Sequence, residues 1–161
     1  LEENDASIGE QFFLPNRDTN EKVQTVTCHE LVHAFTFHLR LPQWLNEGLA
    51  TLAMEHYLHR RIVREDTLEM LHGLPNGRED GSEKPVQGLI PLYARGYWLT
   101  RYLEEIDIDA LKDILSCRCP RKEMEKRIAS AYRNDPQVFW SEIYGNVWAY
   151  FTSKQPDILL R

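Results

Sequence analysis

His29-Glu30-Leu31-Val32-His33 is the stretch of this chain best suited to chemistry. On an α-helix, residues four apart lie about 40° apart around the axis and about 6 Å along it, so both imidazoles project from one face. Two neutral imidazoles so placed can hold one Zn²⁺ at roughly 2.0–2.1 Å per Zn–N bond. Glu30 projects beside that face, where a carboxylate can take the proton of a water attacking a carbonyl. Alone, three fixed residues in five are a weak signal, because two surface histidines with a helix-stabilising glutamate read the same way. Val26, Val32, Phe35, Phe37 and Leu39 surround the motif. From them we expect a largely buried helix, in which His and Glu need partners.

Glu47 is the candidate third ligand. It stands in Trp44-Leu45-Asn46-Glu47-Gly48-Leu49-Ala50, fourteen positions after His33 and beyond the break at Leu41-Pro42. A tight helix–turn–helix would return it to the first helix. Two imidazoles and one carboxylate make a three-ligand, catalytic type of zinc site with a position open for water, whereas a closed structural site uses four protein ligands. One Zn²⁺ per chain is therefore expected.

Together, His-Glu-Leu-Val-His and Trp-Leu-Asn-Glu-Gly-Leu-Ala resemble the gluzincin metallopeptidases, especially the peptidase-MA-like group and the catalytic core of zinc aminopeptidases. The match covers roughly Thr27 to Glu55, with a weaker one over Tyr93 to Leu103. The resemblance implies a zincin-like fold with zinc between two lobes, held by His29, His33 and Glu47. It implies Glu30 as general base, and peptides or unfolded protein segments as substrates. Related enzymes stabilise the oxyanion with a Tyr or His from the C-terminal lobe. Tyr93 is the candidate here, with Tyr97 and His72 as the others. Thr51 stands where gluzincins often place a polar residue that orients a ligating His, although a Thr packed between helices reads equally well. Arg95 could bind a substrate carboxylate or form a surface ion pair. The chain departs from the large aminopeptidases in two ways. Its gap between His33 and Glu47 is shorter, and no Gly-rich, Glu-containing segment that would grip a free amino group is visible upstream of His29. Endopeptidase action is therefore the expectation. An aminopeptidase, or a catalytically silent zincin-fold binding or scaffold protein, is the alternative.

The elements that must position these residues are mainly α-helical, with a small N-terminal β element, an α+β reading. Gln11 to Leu14 reads as a short strand ended by Pro15-Asn16. Asp18 with Glu21 resembles a capping box opening a helix that runs to about Arg40. Pro42 opens a second helix, to about Arg61. Residues 73–91 hold four glycines and three prolines, and read as a long surface loop. Helices follow over Tyr93–Glu105, Asp109–Ser116 and Arg121–Arg133, and a last one from Asp135-Pro136. One domain is expected, with a zinc-binding lobe over about 1–72, the loop over 73–91, and a helical lobe over 92–161.

Composition excludes some classes of partner. The 161 residues carry a net charge of −6, the wrong sign for non-specific nucleic-acid binding. No apolar run is long enough to span a bilayer. The chain opens Leu-Glu-Glu-Asn without a Met, and reads as trimmed from a longer one that could have carried a targeting signal. Three cysteines, Cys28, Cys117 and Cys119, do not make a disulfide framework and lean towards a reducing compartment. Cys117 and Cys119 lack zinc-finger spacing with other ligands and read as ordinary thiols. His38, His56 and His59 are not assigned to zinc.

Overall fold

The computed structural model describes residues 9–73, 89–117, 119–132 and 135–154. They are mainly helical. Helix α1 spans Thr19–Thr36, α2 Gln43–Leu58, α3 Leu89–Ile106, α4 Ile108–Ser116, α5 Arg121–Ala131 and α6 Pro136–Lys154. Short 3-10 segments lie at Phe37–Leu39 and Glu65–Gly73.

Helix α1 begins where a side chain can take up an orphan amide. Asp18 is extended (φ −158°) and accepts from the Glu21 N–H at 2.8 Å. Glu21 accepts from the Arg17 N–H at 3.1 Å, one residue beyond the N-cap amide that a true capping box uses, and pairs with Arg60. The hydrogen bond from Arg60 holds the Glu21 carboxyl below the usual carboxylate range. This pair ties the start of α1 to the segment that follows α2.

The turn from α1 to α2 rests on Arg40 and Pro42. Arg40 is left-handed (φ 50°), and its N–H closes the 3-10 turn on Phe37 O at 3.4 Å. Pro42 supplies the extended residue from which α2 starts (φ −52°, ψ 143°). Trp44 and Leu45 then point into the core, both fully buried. Helix α2 packs closely on α3 where two glycines meet. A Cβ on Gly48 would lie 2.2 Å from Gly96 O, and one on Gly96 would lie 2.4 Å from Trp44 O. The two backbones touch because neither residue has a side chain.

Beyond that crossing, Glu55 ties the end of α2 to α3. It accepts from the Ile62 N–H (2.8 Å), Tyr97 Oη (2.8 Å) and Arg101 Nη1 (3.0 Å). A single hydrophobic cluster runs from Phe12 and Trp44 through Trp98 and Leu103 to Ile128 and Phe151.

Three expectations need correction. Gln11 to Leu14 is not a strand: residues 9–12 are helical, and Phe13 makes only an isolated antiparallel bridge to Val63. A helical turn buries Phe12 completely, and a lone bridge has no neighbouring strands to extend it. Helix α3 starts at Leu89, not Tyr93, because Pro91 in a first turn forfeits no helical hydrogen bond. Of the expected loop, residues 74–88 lie outside the described ones. Finally, α1 is not largely buried. Val26, Phe35 and Phe37 are 55%, 74% and 84% exposed, and Glu21 and Thr25 are its buried residues. Its apolar residues fall on several sides of the helix, and α2 covers only one of them.

Candidate metal centre

His29 and His33 lie one turn apart on α1, and Glu47 faces them from the first turns of α2. His29 Nε2 and His33 Nε2 are 2.9 Å apart. Glu47 Oε2 is 3.4 Å from the first and 3.5 Å from the second. Three electron pairs so close repel one another unless protons or a cation lie among them. Their spacing also has the right size: tetrahedral bonds of ~2.05 Å to zinc set ligand atoms ~3.3 Å apart. Among the described residues, this is the one group of three or more His, Cys, Asp or Glu that could hold a metal ion. The donor set of two imidazoles and a carboxylate fits zinc, and fits it as a three-ligand site.

The site is shaded without being sealed. The side chains of His29, His33 and Glu47 are 14%, 24% and 16% exposed. Burial pushes the Glu47 carboxyl up, but hydrogen bonds from His29 and Tyr93 and the charges of both histidines outweigh it, so its pKa falls below the usual range. Glu30 is exposed and has no hydrogen-bond or ion-pair partner among the described residues. Its carboxylate stands one residue on from His29 and is open to solvent.

Tyr93 is brought to the site by the first turns of α3. Its ring centroid lies 6.4 Å from that of His29, and its hydroxyl hydrogen-bonds to Glu47. Tyr97 does not reach the triad: it is fully buried and donates to Glu55 at 2.8 Å. Its phenol is pushed up by burial and by the Glu55 charge. His72 is turned to Glu69 (3.7 Å) and to the ring of Trp148 (4.8 Å). Arg95 is buried, with its guanidinium over the Tyr144 ring at 5.7 Å, so it is not a surface cation. Thr51 is fully buried, and its hydroxyl bonds neither histidine. Cys28 packs against the core edge and its thiol pKa is raised by burial, as a residue on another face of the helix should be.

One contact was not foreseen. Thr36 Oγ1 lies 2.9 Å from Asn46 Oδ1, joining α1 to the residue just before Glu47. The signal available in the sequence was a polar residue three after His33, on the face of α1 that carries both ligands.

No family model matches the chain, and no curated protein or solved structure is detectably similar to it.

Because the Tyr93 hydroxyl is bonded to Glu47, Tyr93→Phe should weaken any zinc held by the triad about ten- to hundredfold, the usual effect of losing a group that orients a metal ligand. Competition with a chromophoric chelator measures this. A variant that binds zinc as tightly as the parent, and loses only turnover, would place the hydroxyl on the substrate instead.

Proposed function

We propose that the chain is a zinc-dependent metallopeptidase of the gluzincin type, acting as an endopeptidase on peptides or unfolded protein segments. The observation that carries this reading is the convergence of His29, His33 and Glu47 on one point, with the unpaired Glu30 carboxylate next along the helix. Zinc held there supplies Lewis acidity, acidifying water and polarising a peptide carbonyl. His29 and His33 would hold it through Nε2 and Glu47 through Oε2, the atoms that converge. Glu30 takes the water proton at its carboxylate and passes it to the leaving amine. Tyr93, bonded to Glu47, keeps that carboxylate in register and offers a hydroxyl to a developing oxyanion.

The reading predicts that a strong chelator abolishes hydrolysis of a pool of N-acetylated fluorogenic peptides. One equivalent of Zn²⁺ should restore it and Mg²⁺ should not, because magnesium prefers six oxygen ligands. Acetylated substrates leave no free amine to grip, so they test endopeptidase action as well. Hydrolysis that persists at full rate after chelation would refute the metallopeptidase reading.

A further inference from the structure

The connection between the two ligand-bearing helices is lightly held. Arg40 closes it through a 3.4 Å bond to Phe37 O. Neither Thr36, where the 3-10 turn begins, nor Pro42, where α2 begins, makes a side-chain capping bond. No cap therefore anchors the first turns of α2, which carry Glu47. Apolar packing against α1 is non-directional and leaves the helices free to slide, whereas a hydrogen bond fixes register. Among the described residues, one hydrogen bond outside the triad joins α1 to α2. It links Thr36 Oγ1 to Asn46 Oδ1 at 2.9 Å and is partly buried.

The same hydroxyl lies 2.8 Å from Val32 O, the carbonyl just before His33. A threonine hydroxyl has one proton to give and lone pairs that can accept an amide N–H. With the proton on either acceptor, Thr36 joins Asn46, next to Glu47, to the turn of α1 that holds His33. His33 depends on that turn. Its Nδ1 is shielded from solvent and has no hydrogen-bond partner among the described residues. A ligating imidazole is ordinarily oriented through this second nitrogen. Here its placement falls to the backbone that Thr36 fastens.

We propose that Thr36 and Asn46 are a positioning pair, whose hydrogen bond sets the spacing between His33 on α1 and Glu47 on α2. This rests on the zinc-binding reading of His29, His33 and Glu47. The pair touches no ligand atom and acts through the two helix turns.

The test is a double-mutant cycle in Zn²⁺ affinity, read by competition with a chromophoric chelator, with circular dichroism of each metal-free chain alongside. Thr36→Val and Asn46→Ala should each weaken Zn²⁺ about tenfold or more, the usual cost of losing a group that orients a ligand. The double variant should bind no more weakly than either single one, because both remove the same bond. Thr36→Ser keeps the hydroxyl and should keep the parent's affinity. All four metal-free chains should keep the parent's helical spectrum, which a merely structural bond would not ensure. Parent-like affinity in Thr36→Val, penalties that simply add in the double variant, or a Thr36→Val chain unfolded without metal would overturn the proposal. A parent that binds no Zn²⁺ would instead sink the zinc reading, and the pair's role with it.

Discussion

Gly48→Ala should destabilise the protein by about 1–3 kcal/mol and lower Tm by roughly 2–12 °C, the range for forcing an extra methyl into a packed contact in a chain of this size. The new Cβ would meet Gly96 O at 2.2 Å and Thr100 Oγ1 at 2.1 Å. A hydroxyl can rotate away, but a helix backbone carbonyl cannot, so α2 must move off α3. Glu47 is the adjacent residue on α2, and the shift should therefore disturb the His29–His33–Glu47 group as well as the fold. Gly145→Ala in α6 is the natural control, because a Cβ there meets nothing within 4 Å. It should stabilise slightly, by about 0.5–1 kcal/mol, as replacing a helix-interior glycine does. Thermal melts of the two variants beside the parent give the comparison. A Gly48→Ala protein that melts with the parent would show that the helices are not in contact there.

The second large effect belongs to Glu30. Glu30→Gln keeps the shape of the side chain and removes its basicity, so turnover should fall about 10²- to 10⁴-fold while zinc content holds. The side chain is exposed and bonds nothing among the described residues, so the substitution has no fold to disturb. Peptide hydrolysis measured beside metal content separates the possibilities. Unchanged turnover would remove Glu30 from the mechanism, whereas zinc without turnover in parent and variant alike would favour a scaffold that holds the metal without using it.

Much of the site could be read from the chain because its determinants are local. An i, i+4 pair of histidines shares a helix face whatever surrounds it, and Pro42 after Leu41 announces the return of the chain that brings Glu47 back. The helix starts at Asp18 and Pro136 were legible for the same reason: an N-cap and its acceptor lie within one turn. What could not be read depends on contacts between distant segments. Phe35 and Phe37 look like core residues in sequence, yet they are largely exposed, since the α2 side of α1 is not the side they occupy. Tyr97 and Tyr93 stand four apart on one helix, but Tyr97 is claimed by Glu55, a partner on α2 that no local pattern reveals. The closeness of Gly48 to Gly96 is of the same kind. A glycine's small size matters only where another backbone approaches.

The most direct test of the account is zinc content by mass spectrometry on protein purified without added metal, run with His33→Ala and Glu47→Ala variants. The account predicts about one zinc per chain in the parent and its loss from both variants, because a catalytic site of this type has three protein ligands and none to spare. Absence of zinc from the parent, or zinc retained at full occupancy without Glu47, would contradict it.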